Sequence, residues 1–501
     1  MKNPEMEQTE KKGQIAEPKT TYGHVLKYTG VFGGVQGLKL LSSIVRNKLT
    51  TILLGSVGFG LISVYNSISD FVASCSNCGL PLNITREASE MQADDNTARV
   101  ERFACMVRTW TFWTAVAGVL LTLLFSPLLS YYFFHKEAGR YAEVMVLAPI
   151  VASLLIAEAE CSLLKGFRRL RRVAIVETIC AVSTLLLTIP FYYFLGLRGI
   201  LFGLTASTLF ACIVHVAFTA RIIPYRIKPF SMSLLKEGWP IVKRGIPYVI
   251  ASVATNGSSL LIAFIILTYG SSMEDLGHYR AGYMLMVSYA ALIFKALDSE
   301  YYPRLSCVNQ IKEKVAQVVN QQVEVCVHLV VPFLILFMLC IPIVIQLQFK
   351  SDFLVILNMT YCAAFYMYFR AIILPVSYTM LAKGDFKVFL IMEVLSNAII
   401  ILSLLCFYPL LGLMGAGIAL SVSAFLDMIT NLLLFKMRYG CSLFRQTVKI
   451  CLVQLVMLSL SLAICYFAPS WPYTLIASLI LICSARYSYR KLRNGGKSFN
   501  G

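Results

Sequence analysis

The sequence predicts an all-α, polytopic membrane protein of about fourteen transmembrane helices, built as two parallel-repeat six-helix bundles plus two C-terminal helices. Three observations carry this expectation. The 501 residues are 58% hydrophobic and only 14% charged, with a mean hydropathy of +0.71, whereas soluble domains carry roughly 25% charged residues. Apolar runs long enough to cross a bilayer, about 20 residues each, recur along the chain. Lysine and arginine concentrate in alternate loops, as they do on the cytoplasmic side of membrane proteins. Disordered, collagenous and disulfide-scaffold chains are excluded, because none tolerates this apolar density over such a length.

Residues 1–22 combine Lys2, Lys11, Lys12 and Lys19 with several glutamates and lack the apolar core of a secretory signal, so they read as a polar cytoplasmic tail. Candidate spans then follow near 25–45, 51–76, 103–130, 142–164, 173–195 and 199–221, which make an N-terminal bundle over 23–222. A basic cytoplasmic linker, 223–240, leads to spans near 242–268, 281–298, 323–347, 352–381, 388–408 and 412–435, a second bundle over 241–436. Two further spans, near 446–467 and 470–486, occupy 437–487, and a basic tail covers 488–501.

With a cytoplasmic N-terminus, seven of the 44 Lys and Arg fall outside: Arg46, Lys48, Lys136, Arg140, Arg198, Arg280 and Lys350. Lys39, Arg108, Lys295 and Arg370 fall within spans, and all the others face the cytoplasm. Missing one span in mid-chain would exchange the sides of every later loop and destroy this asymmetry, so both termini read as cytoplasmic. The net charge of +18 is thereby explained by topology and anionic lipid, and nucleic acid is not expected as a partner.

An internal repeat supports the two bundles. Leu195-Gly196-Leu197-Arg198-Gly199 matches Leu411-Gly412-Leu413-Met414-Gly415 at an offset of 216, the offset that also relates Glu177 to Glu393. Lys165-Gly166 echoes Lys383-Gly384, and Gly30 lies 215 before Gly245. An even number of spans per repeat sets both copies in the same direction, with a cavity between them, as in one class of transporter.

Polar residues inside the spans mark that cavity. In span one Gln36, Lys39, Ser43 and Arg46 form a stripe at helical period, and span two carries Ser63, Asn66, Ser67, Asp70 and Ser74. A charge within the bilayer costs roughly 2.5–3.5 kcal/mol even on the lenient insertion scale, so it is retained for function or for pairing. Lys39 and Arg370 therefore read as lining a substrate path or as paired structurally, and both readings stand at this point. Glu177 and Glu393, near the starts of their helices, suit the N-terminal dipole. Lys295 and Asp298 have the spacing of a mutual pair. His215 and His328 read as helix-bonded rather than as a proton relay, and Cys75-x-x-Cys78 lacks a second ligand pair, so no metal or cofactor is expected. No phosphate-binding glycine loop, nucleophile elbow or His-Glu-x-x-His is found, and no loop offers room for an enzymatic domain.

The stretch Gly30–Arg86, notably Arg46-Asn-Lys-Leu-Thr-Thr-Ile-Leu-Leu-Gly55-Ser-Val-Gly58-Phe-Gly60 and Cys78-Gly-Leu-Pro-Leu-Asn-Ile-Thr-Arg86, resembles polysaccharide flippases of the Wzx type. Their superfamily also holds lipid II flippases and multidrug exporters. Leu276-Gly277-His-Tyr279 and Ser299-Glu-Tyr-Tyr-Pro303-Arg304 are similar to the second-half pattern. The resemblance implies two six-helix bundles in a V, alternating access, and transfer of undecaprenyl-diphosphate-linked oligosaccharide repeats across a bacterial inner membrane for O-antigen, capsule or exopolysaccharide synthesis. Lys39, Arg46 and Arg370 are then the expected diphosphate contacts, and Gln36, Asn66, Asn256 and Tyr366 the sugar or cavity contacts. Asp70 is the expected H+ or Na+ coupling site. Membrane lipids and polysaccharide polymerase or assembly proteins are the expected partners. The alternatives are a cation-coupled multidrug exporter, a membrane glycosyltransferase or polymerase, and a non-transporting scaffold.

Overall fold

The computed structural model describes residues 21–91, 97–134, 141–270, 272–288, 294, 301–467 and 471–497, with side chains described from Gly37 onward except at 288, 471–475 and 492–497. Every extended segment within them is helical. Helix α1 (Thr21–Ser76) is followed by a short α2 (Leu80–Met91), then α3 (Thr97–Phe133) and α4 (Tyr141–Met145). Helices α5 (Leu147–Gly166), α6 (Leu170–Leu195) and α7 (Gly199–Ala220) complete the first half. The second half holds α8 (Met232–Gly270), α9 (Met273–Tyr283), α10 (Lys312–Gln348), α11 (Leu357–Ala382) and α12 (Phe386–Tyr439). Finally come α13 (Arg445–Phe467) and α14 (Trp471–Lys497).

Helices α1 and α12 are each two spans joined at a glycine. Gly55 (φ 67°) interrupts α1 and Gly412 (φ 57°) interrupts α12. The chain reverses at these points. Arg46 and Asn66 line one cavity, although twenty residues of straight helix would set them about 30 Å apart. A Cβ on Gly415 would overlap the carbonyl oxygen of Phe407, eight residues earlier, and a Cβ on Gly199 would overlap that of Phe191. Gly196 carries the same φ of 57° as Gly412, so the two Leu-Gly-Leu-x-Gly segments are one tight interhelical turn used twice. Leu54-Gly55-Ser56-Val57-Gly58 is a third copy of that Leu-Gly-x-x-Gly pattern. Only glycine takes this positive φ without strain. Counting α1 and α12 as two spans each and α4 with α5 as one, the described helices follow the order of the spans read from sequence, and residues 289–293 and 295–298 of span eight lie outside the described residues.

Two boundaries differ from the sequence reading. Helix α8 begins at Met232, inside the expected linker 223–240, and α2 stands where a plain loop was expected. Helix α2 is amphipathic, burying Leu80, Ile84 and Ala88 against Phe103, Met106 and Leu163. Its polar face makes it a capping segment rather than a span.

The two halves share a core in which Tyr65, Ile68 and Val72 of α1 pack with Leu260, Ala263 and Ile266 of α8 and with Leu276 and Tyr279 of α9. Outward faces carry exposed Leu186, Ile343, Leu402 and Leu410, the distribution expected where lipid replaces water. Helices α13 and α14 dock on α10 through buried polar groups. Gln454 donates to Ser488, Ser484 donates to Gln454, and His328 Nδ1 lies 3.1 Å from Ser488 Oγ. Such interhelical bonds substitute for the hydrophobic effect, which is absent between helices in lipid.

Candidate functional site: a polar cavity between the halves

The second arm of α1 runs along the interface between the halves, and its polar face lines two neighbouring cavities that meet at Asp70. The first, of about 330 Å³, is bounded by Arg46, Asn66, Ser67 and Asp70 of α1, Thr188 and Tyr192 of α6, and Arg280 of α9. The second, of about 620 Å³, is bounded by Asp70, Ser74, Glu158, Lys165, His215, Tyr248 and Asn256. Most of both linings comes from the first half. Helix α1 supplies this wall because its serines and asparagines recur at helical spacing on one face, and that face finds no apolar partner.

Arg280 is the principal residue that sequence reasoning missed. It reads as an outside loop cation, but it sits on α9, and its Nη2 donates to Ser67 Oγ (2.9 Å) in the first half and to Ser259 O and Oγ (3.0 Å each) in the second. Its buried Nε finds no acceptor among the described residues. The signal was present in Tyr279-Arg280-Ala-Gly-Tyr283, a lone cation flanked by tyrosines, but span eight was placed a residue too late to include it. A second link between the halves runs through Ser74 Oγ, which accepts from Asn256 Nδ2 (2.5 Å) and from Ser252 Oγ (3.1 Å).

The other expected site residues separate into groups. Arg46, Asn66 and Asp70 line the first cavity, and Asn256 lines the second. Lys39 instead donates to Glu177 of α6 in an ion pair within the first half. Arg370 lies in a different cavity of about 330 Å³ inside the second half, with Glu393 and Asp427. Its Nη1 is 3.7 Å from Asp427, whose carboxylate also accepts from Ser396 and Asn431. Lys39 and Arg370, expected as diphosphate contacts, thus each have a carboxylate partner within their own half. Tyr366 is half-buried on α11 and borders none of these three cavities. Gln36, Lys295 and Asp298 lie outside the described side chains.

Arg108, also a deep cation, is fully engaged in structure. It holds Glu160 through Nε (2.8 Å) and Nη2 (3.2 Å), donates to Pro224 O (2.7 Å) and stacks over Tyr225, with both charged side chains 2% exposed. A buried pair this well satisfied is a structural strut. Among the described residues no cluster of His, Cys, Asp and Glu has metal-binding geometry.

Residues 51–358 match the family model described as polysaccharide biosynthesis protein. The chain belongs to this polysaccharide biosynthesis protein family. The matched segment includes Asn66, Asp70, Asn256 and Arg280, and hence most of the cavity wall. No curated protein matches the chain.

Among solved structures, this polysaccharide biosynthesis protein is similar to the lipid II flippase MurJ in an inward closed conformation, with a TM-score of 0.67 and 14% identity over 92% of this chain and 99% of that one. It is equally similar to an inward-facing multidrug resistance MATE family transporter of the MOP superfamily, with a TM-score of 0.67 and 14% identity over 80% of this chain and 94% of the other. A MOP superfamily transporter from Pyrococcus furiosus aligns with a TM-score of 0.56 and 16% identity over 82% and 93% of the two chains. The fold is that of the MOP superfamily transporters and flippases, as the sequence resemblance implied.

Proposed function

We propose that the chain is a flippase that carries undecaprenyl-diphosphate-linked oligosaccharide repeat units from the cytoplasmic to the periplasmic leaflet of a bacterial inner membrane by alternating access. The polymer served is an O-antigen, capsule or exopolysaccharide. The observation that carries this reading is the convergence of Arg46 from the first half and Arg280 from the second on one polar cavity. Two guanidiniums suit a diphosphate, which accepts several charge-assisted hydrogen bonds at once. The adjoining cavity, lined by Ser74, Asn77, Tyr248, Ser252 and Asn256, offers hydroxyl and amide partners to a sugar. Crossing hydrocarbon without such partners leaves every sugar hydroxyl unsatisfied, at several kcal/mol each.

In this reading Asn66 and Asn256 contact sugar, Asp70 is the H+ or Na+ site at the junction of the cavities, and Lys39 and Arg370 act through their carboxylate partners. Polymerase or assembly proteins receive the flipped unit. The test is genetic. Arg280→Ala and Arg46→Ala are expected to abolish surface polysaccharide at unchanged protein level, and normal polysaccharide in both would refute the proposal. A cation-coupled multidrug exporter is the second reading, favoured by the carboxylates Asp70 and Glu158 on the cavity wall. Drug hypersensitivity of a deletion strain with intact surface polysaccharide would decide for it.

A further inference from the structure

The second arm of α1 touches the second half near the Gly55 turn, and the turn that follows its far end touches the second half again; each contact is glycine on glycine. At the end nearer the Gly55 turn, a Cβ on Gly60 would overlap the carbonyl oxygen of Met273, and a Cβ on Gly277 would overlap that of Ser56. Gly60 and Gly277 are 217 residues apart, as are Ser56 and Met273, so this reciprocal contact lies on the pseudo-twofold axis relating the halves. At the far end, a Cβ on Gly245 would lie 2.6 Å from Cys78 O and 2.9 Å from the Cα of Gly79, and one on Gly79 would overlap the backbone of Gly245. The helix between them, Gly60 to Ser76, is about 24 Å long, close to the hydrocarbon thickness of about 30 Å. Ser67, Asp70 and Ser74 face the cavities between the two contacts.

We infer that Gly60–Gly277 and Gly79–Gly245 are the two seals of the translocation path, one at each membrane face, and that transport parts one pair while the other holds. This assignment rests on the transporter reading. Its physical basis is the missing side chain. Bare backbones approach to van der Waals contact, leaving no gap for water or a sugar headgroup. At the two contacts themselves no side chain interdigitates, so parting either one separates backbone from backbone at that point. A larger residue at one seal holds that end apart and leaves the other untouched. The polar clasps around the seals are of different kinds. Arg244 pairs with Glu87 (2.9 Å) and Arg102 with Glu237 (3.0 Å) near Gly79, whereas Lys48 Nζ donates to Gln346 O and Phe349 O (2.6 Å each) near Gly55.

The test places single cysteine probes, Asn66→Cys or Ser252→Cys, in the otherwise cysteine-free full-length chain in sealed vesicles of either orientation, with a membrane-impermeant maleimide and no cargo. Gly277→Leu is expected to raise labelling of Asn66→Cys several-fold from the face bearing the Gly55 turn only. Gly245→Leu is expected to raise labelling of Ser252→Cys from the opposite face only. Gly277→Ala and Gly245→Ala, which perturb packing less, should shift labelling in the same directions to a smaller extent. Labelling that stays unchanged in all four, or rises equally from both faces, overturns the assignment. Because no cargo is used, such a failure leaves the flippase proposal standing, whereas normal polysaccharide in the arginine variants would remove the proposal and leave the seals.

Discussion

Lys39 and Glu177 form an ion pair between α1 and α6, and the same contact recurs 216 residues later, where Thr255 donates to Glu393 across 3.1 Å. Each pair is separated by 138 residues, so the internal repeat is visible at the level of a single side-chain contact. The cation survives only in the first half. In the second, Arg370, at a position equivalent to Leu154, shares a cavity with Glu393. The first prediction follows from the pairing. Lys39→Ala leaves Glu177 unpaired inside the membrane, a cost of about 2–3 kcal/mol, and is expected to lower protein level and thermal midpoint. Adding Glu177→Gln should restore both. A lack of rescue in the double variant would show that the unpaired Glu177 is not what destabilises Lys39→Ala.

Arg280 gives the second prediction. In the proposed complex its guanidinium donates to the diphosphate, and losing a hydrogen bond to a charged group costs roughly 1.5–3 kcal/mol, equivalent to about a tenfold or greater loss in affinity. Arg280→Ala is expected to cut export of the lipid-linked saccharide by at least that factor, with Arg280→Lys intermediate because an ammonium lacks the planar fork. Thermal midpoints of the purified variants in detergent measure what losing the bonds to Ser67 and Ser259 costs the fold, and export normalised to folded protein is expected still to fall about tenfold.

A third prediction concerns the turn between α5 and α6. Arg168 there has φ 51° and Gly384, 216 residues on, has φ 74°, so by backbone conformation and offset Gly384 corresponds to Arg168 and not to Gly166. A non-glycine residue in this region is strained by about 1–2 kcal/mol, partly offset by the greater unfolded-state freedom of glycine. Arg168→Gly is expected to stabilise the protein by about 0.5 kcal/mol, and Gly384→Arg to destabilise it. Paired thermal unfolding of the two variants measures both signs.

The fourth prediction is a pH dependence. Asp385, in the loop before α12, accepts from Arg438 Nε and Nη2 (3.2 Å each) and from Tyr439 OH (2.8 Å). These bonds hold its carboxyl below the usual carboxylate range. A depressed folded-state value stabilises the fold above the unfolded pKa of about 3.9, and the contribution disappears as pH falls through the folded value. The thermal midpoint should therefore fall as the pH drops below about 4, and Asp385→Asn should flatten that part of the curve.

Much of this architecture is legible in the residues, because membrane insertion imposes a composition and a loop-charge pattern that no other class shares. The helical membrane class and the polar face of α1 follow from it, and the repeat follows from the matching Leu195–Gly199 and Leu411–Gly415 segments. The Leu-Gly-x-x-Gly turns were legible twice, at Gly196 and Gly412, and overlooked at Gly55, where Ser56-Val57 disguises the pattern. Charge partners were not legible. Lys39 meets Glu177 and Arg370 meets Asp427 across helix interfaces, and helical periodicity gives the face of a residue but not its neighbour. Arg280 was misplaced because α9 is short and mean hydropathy starts the span after the arginine. The glycine contacts were equally hidden, since small residues in a membrane helix signal close approach without naming the other helix.

The central claim is that a lipid-linked saccharide with an anionic head occupies the cavity bounded by Arg46 and Arg280. Its most direct measurement is the labelling rate of Asn66→Cys in reconstituted, otherwise cysteine-free protein, with and without polyprenyl-diphosphate-linked oligosaccharide. Protection that is lost in Arg280→Ala agrees with the account. Labelling that is indifferent to the saccharide in the presence of both arginines contradicts it.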